Sequence, residues 1–243
     1  MRSDAPTWRF VPTLRFLAFL PLSVAVGGLA LEIGARALGM APGDTRPVWY
    51  LAVGTGVVHV FALALVAWLL RLHERSWPSL LGVDAPGWFR HCLFAVALTG
   101  PVLAGAWLAH QGSSWLLDLV HVAHDRQEAV NALRRADATW EHALMLVFAV
   151  GTAPLTEEVL FRGILWPWAR DAGHPVAGAL ITALVFALIH ANLAALLPLW
   201  LLGLFWIWLY ERTRCLAAPI LSHAIFNLVN FAWILLSPEA SPT

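Results

Sequence analysis

The chain has 243 residues, of which 60% are hydrophobic and only 12% charged, with a mean hydropathy of +0.71. A soluble domain carries roughly 25% charged residues, so the composition excludes an ordinary soluble globular protein. Its long apolar runs point to an all-α polytopic membrane protein instead. Fifteen arginines balance fifteen acids, with no lysine, so no bulk charge exists to attract nucleic acid.

At the N-terminus, Arg2, Arg9 and Arg15 flank an apolar run from Phe16 to about Leu31. This run is longer than a signal-peptide core and lacks a convincing cleavage site, so it is read as a retained first span. A span needs about 20 mostly apolar residues. Such stretches occur at 14–34, 48–70, 91–110, 142–165, 176–196, 198–211 and 217–236, giving about seven crossings (six to eight) in one membrane domain, 1–243. The sixth is short and is expected to begin at depth after Leu197-Pro198, with Ala191–Leu197 forming a packed connection. Between the third and fourth spans, Gln111–Glu141 interleaves Trp115, Leu116, Leu119, Val120 and Val122 with Asp118, Asp125, Arg126, Glu128, Arg134 and Arg135. That pattern suits an amphipathic helix on the membrane surface or an extramembrane hairpin. Cys92 and Cys215 show no CxxC or zinc spacing and read as small packing residues.

Arginine placement predicts orientation. With the N-terminus inside and seven crossings, the inner segments hold Arg2, Arg9, Arg15, Arg71, Arg75, Arg90, Arg162, Arg170, Arg212 and Arg214. The outer ones hold Arg36, Arg46, Arg126, Arg134 and Arg135. By the positive-inside rule this is a multi-pass protein of the cell (cytoplasmic) membrane with its N-terminus in the cytoplasm.

Ionisable residues within apolar spans are costly and mark functional sites by default. The stretch Thr156-Glu157-Glu158-Val159-Leu160-Phe161-Arg162 carries three of them. Glu158 and Arg162 are four apart in the favourable acid-first order for a helical ion pair. Glu157 points about 100° away around the helix. It has no evident cationic partner, as suits a general base. His190 closes Phe186-Ala187-Leu188-Ile189-His190, and His223 opens His223-Ala224-Ile225-Phe226-Asn227. Asp171–Pro175 is the turn signal between Glu157 and His190. Glu157 lies 14 residues before it and His190 15 after, so an antiparallel hairpin sets both at about 21–23 Å from the turn. Phe186 reads as a packing residue framing His190. His59 reads as a core histidine, and Glu32–Arg36 as a structural or interfacial pair.

In order and without departure, EExxxR at Glu157–Arg162, FxxxH at Phe186–His190 and HxxxN at His223–Asn227 resemble the CPBP (Abi) family over about residues 142–236. That family comprises type II CAAX prenyl endopeptidases and bacteriocin-processing or immunity intramembrane proteases. The resemblance implies a polar catalytic cavity among the later helices. It implies that Glu157 activates a water with help from His190, that His223 and Asn227 stabilise the oxyanion, and that Glu158 and Arg162 support the helix. The expected function is hydrolysis of a membrane-associated peptide or protein, near its C-terminus. Membrane lipid and that substrate are the expected partners. Glu157, His190 and His223 are also a set zinc accepts, but no HExxH is present and Asn227 suits oxyanion binding. A metal-free, glutamate-type mechanism is therefore expected, with no cofactor. Two other readings are a non-proteolytic immunity or scaffold protein and a proton-coupled transporter, the latter opposed by the lack of an inverted repeat.

Overall fold

Apolar composition and backbone self-satisfaction in lipid give a helical bundle. The computed structural model describes residues 8, 10–41, 47–123 and 128–237. Arg2, Arg9, Arg46, Asp125 and Arg126, used in the sequence reading, lie outside these. Nine helices and no strand occur among the described residues: α1 Phe10–Ala37, α2 Val48–Leu72, α3 Trp77–Leu81, α4 Trp88–Leu119, α5 Glu128–Arg135, α6 Thr139–Asp171, α7 Pro175–Leu188, α8 Leu193–Thr213 and α9 Ala217–Leu236. Six of them, α1, α2, α4, α6, α8 and α9, are long and apolar enough to cross a membrane. This is the expected all-α polytopic fold.

Two boundaries differ from the sequence reading. The stretch 176–196 is not one span: α7 ends at Leu188, and α8 begins at Leu193, not 198. Asn192 causes the break, because its Oδ1 accepts from the Ala195 N–H at 2.8 Å and caps α8. Ala191 takes the left-handed conformation (φ 48°) that turns the chain. The supposed connection Leu193–Leu197 is therefore already helical. At 14 residues α7 is about 21 Å long, short of a full hydrocarbon crossing. The region Gln111–Glu141 is not one surface helix either. Gln111–Leu119 continues α4, and only α5, packed against α2 and α9, is a separate short helix.

Helix ends sort onto two faces. Arg170, at the end of α6, and Arg214, just after α8, both bind Glu211, at 2.9 and 2.5 Å. Trp8, just before α1, donates its indole N–H to the Gly163 carbonyl of α6 at 2.9 Å. Its ring meets His73, after α2, and lies under the Arg75 guanidinium. Gly82 (φ 72°) ends α3 against the Cα of Cys215, where a Cβ would come within 2.9 Å. Helices α4 and α9 run parallel, joined by Thr99 Oγ1 donating to Ser222 Oγ at 3.0 Å. One face thus gathers the start of α1, the end of α2, α3, the starts of α4 and α9, and the ends of α6 and α8.

Candidate active site

The key helix, α6, is irregular, and its prolines explain why. Two π-helical segments, Val147–Thr152 and Val159–Leu165, bracket the glutamates. Pro154 has no N–H to return to the carbonyls one turn before it, and its ring crowds them. Widening to i→i+5 relieves the clash and leaves the Ala149 carbonyl free. Asn227 of α9 donates its Nδ2–H to that carbonyl at 2.8 Å. Pro167 does the same to the Gly163 carbonyl four residues earlier, which Trp8 satisfies. Each orphaned carbonyl is a docking point for a side chain from elsewhere in the chain. Prolines were legible in the sequence as helix disturbers; which side chains they recruit was not.

Glu158 and Arg162 are wholly buried and form the expected pair, Oε1 to NH1 at 2.8 Å. The guanidinium also donates through NH2 to the Gly203 carbonyl of α8 at 3.0 Å. It lies 4.6 Å from the Phe186 ring centre and 5.2 Å from that of Trp206. Gly203 also permits α8 to pack closely on α7, since a Cβ there would sit 2.9 Å from Ala183 Cβ. The pair is not purely self-contained, as the sequence suggested. Glu158 Oε1 also lies 2.9 Å from Nδ1 of His223. An ionised carboxylate only accepts, so the proton sits on Nδ1 and Nε2 is turned toward the cavity.

That Nε2 lies 3.8 Å from Glu157 Oε2, which is buried and without a hydrogen-bond partner among the described residues. His223 is thus the histidine beside Glu157. His190, expected on a helix, instead sits in the α7–α8 turn, where its Nδ1 donates to the Phe186 carbonyl at 2.8 Å. Phe186 is fully buried, its ring 4.9 Å from the His190 ring, so it frames His190 as expected. Glu157, His190, His223 and Asn227 all line one cavity of about 970 Å³.

Trp206, which sequence reasoning passed over, stacks on the His223 ring at 4.1 Å and 17°. Its indole N–H donates to Ser222 Oγ at 3.2 Å, and Ser222 is held in turn by Thr99. Nothing distinguishes Trp206 from the other thirteen tryptophans in the sequence. Ser222, beside the histidine, was the available hint. His59 pairs with Thr152 Oγ1, the last residue of the first π segment, at 3.0 Å. Glu32–Arg36 is an exposed pair at 3.1 Å.

Residues 139–229 match the family model described as type II CAAX prenyl endopeptidase Rce1-like. Over that segment the chain is similar to this family. The match holds Glu157, Glu158, Arg162, Phe186, His190, His223 and Asn227, so the resemblance drawn from the three motifs stands. A Bacillus subtilis (strain 168) protein described as "Putative membrane peptidase YdiL" is 28% identical over 101 residues, covering 42% of this chain and 41% of that protein. The match thus spans about two fifths of that curated relative. No solved structure matches. The Rce1-like segment, with the helices before it, forms a multi-pass membrane protein with peptidase likeness at family level.

Proposed function

We propose that this chain is an intramembrane endopeptidase that hydrolyses a peptide bond of a membrane-associated peptide or protein, using water activated by Glu157. The observation that carries the reading is the chain of contacts from Arg162 through Glu158 and His223 to Glu157, ending at an unpartnered carboxylate oxygen in the cavity. A structural ion pair needs no histidine beyond it and no second, unpaired carboxylate.

In this reading Glu157 takes a proton from water as the water oxygen attacks the substrate carbonyl carbon. His190, its Nδ1–H committed to Phe186, offers Nε2 as acceptor for the same water. The developing oxyanion is met by Nε2–H of His223 in its imidazolium form and by the second N–H of Asn227, whose first holds Ala149. Two carboxylates, one guanidinium and one imidazolium then sum to zero charge. The C–N bond breaks as Glu157 passes its proton to the leaving amine, and no acyl-enzyme forms.

The proposal is metal-free. Among the described residues no three His, Cys, Asp or Glu side chains converge to hold a metal ion. Activity of purified protein in lipid vesicles should survive 1,10-phenanthroline and EDTA. Loss on chelation with recovery on zinc would overturn this. Peptides of membranes from wild type and Glu157→Ala should differ in accumulated precursor. Identical peptides, with the cellular phenotype intact, would favour a scaffold or immunity role.

A further inference from the structure

The cavity lies entirely in one half of the bundle. On α2 its lining stops at Thr55, 17 residues before the helix ends; on α4 it begins at Leu103. On α6 it stops at Glu157, and on α9 it begins at His223. The other half is solid: Glu158, Arg162, Phe186, Ile164, Leu209 and Leu216 are all fully buried. The solid half ends in the face bearing Arg71, Arg75, Arg90, Arg170, Arg212 and Arg214. Among the described residues the open half ends near only Arg36, Arg134 and Arg135. By the positive-inside rule the solid face is cytoplasmic.

The lining chemistry narrows the occupant. Apart from Glu157 and three histidines, every lining residue is uncharged, and no arginine faces in. No arginine is present to bind a free C-terminal carboxylate, and the His223 imidazolium is committed to Glu158 and the oxyanion. The wall is mostly aliphatic and aromatic, with Thr55, Asn227 and Asn230 as scattered polar points. Leu133 and Ala132 of α5, both nearly fully buried, roof the cavity toward the arginine-poor face.

We propose that the site is served from the extracytoplasmic side, and that its substrate is the outer end of a membrane anchor, cut within an uncharged apolar segment. This rests on the peptidase reading for the cutting, but not for the side of access. A substrate from the cytoplasm would have to part the fully buried Glu158–Arg162–Gly203 contacts. From the other side, among the described residues, it meets α5.

The test separates the two claims. In a background with Cys92 and Cys215 replaced by alanine, Asn230→Cys and Arg212→Cys are probed with a membrane-impermeant charged methanethiosulfonate. Asn230→Cys should react in spheroplasts, and Arg212→Cys only in inverted vesicles. The reverse pattern, or labelling of Asn230→Cys from the cytoplasmic side alone, overturns the access side. Membrane peptides from wild type and Glu157→Gln should then differ by cuts at outer ends of anchors, in segments without charged residues. Cuts at inner ends, or beside Lys or Arg, overturn the substrate class. Labelling as expected with no difference in peptides overturns the peptidase reading and leaves the access side standing.

Discussion

The two halves of the bundle treat their polar groups in opposite ways. In the solid half every ionic side chain at the core has a partner: Arg162 holds Glu158 and a carbonyl, and Glu211 gathers Arg170, Arg214 and the Trp166 indole N–H. In the open half Glu157 Oε2 makes no hydrogen bond, the His223 Nε2 standing 3.8 Å off, and Asn227 has an N–H to spare. What separates them is whether the acid is held by a close ion pair: Glu158 and Arg162 hold each other at 2.8 Å although Glu158 Oε2 and Arg162 Nε make no hydrogen bond, whereas Glu157 has no such contact. Desolvated charge is tolerated only where it is matched, and the place where matching stops is the place with free chemistry.

That contrast can be broken from either side. The largest effect is expected from Glu157→Gln: a loss of about 10²–10⁴ in kcat, the range for a general base, with the melting temperature in detergent unchanged. A variant that melts early instead would make Glu157 a structural residue. Next, Arg162→Met should cost about 3–5 kcal/mol by stranding Glu158, read as loss of folded protein. The double variant Glu158→Gln/Arg162→Met should recover folding but not cleavage, because His223 loses its carboxylate. Recovery of both would show that the pair only fills space. Asn227→Ala should lower kcat by about 10²–10³ with KM little changed, as for a lost oxyanion donor. An effect confined to stability would reduce Asn227 to a brace for the Ala149 carbonyl. Smallest is Gly203→Ala, expected to destabilise by about 1–3 kcal/mol through overpacking against Ala183, seen as a lower melting temperature with kcat preserved in the folded fraction.

The legible parts were those written in local spacing. Glu158 and Arg162, four apart, needed only helical geometry to be paired, and the two histidine motifs needed only their setting in apolar runs. The all-α membrane class was readable because long apolar runs are plain, though about seven crossings were expected where six helices among the described residues are long enough. Partnerships across elements were not readable. That His223 rather than His190 sits beside Glu157 depends on the tilt of α9 against α6, and no periodicity encodes it. The break at Asn192 was hidden because apolar residues continue on both sides; the cap depends on one side chain, and averaging over a window of twenty erases it. Trp206 was invisible for the same reason that it works: it is one flat apolar ring among many, and its role comes from what it lies against.

The two widened segments of α6 also matter for how the helix is aimed. Each packs about one residue more into its turn than the 3.6 of an α-helix, and so absorbs a residue that in a regular helix would rotate everything beyond it by about 100°. Removing a single residue from Val147–Thr152 would tighten that turn to an ordinary α-helical one, leaving Thr139–Leu146 and the two acids in register but taking away the free Ala149 carbonyl that Asn227 holds.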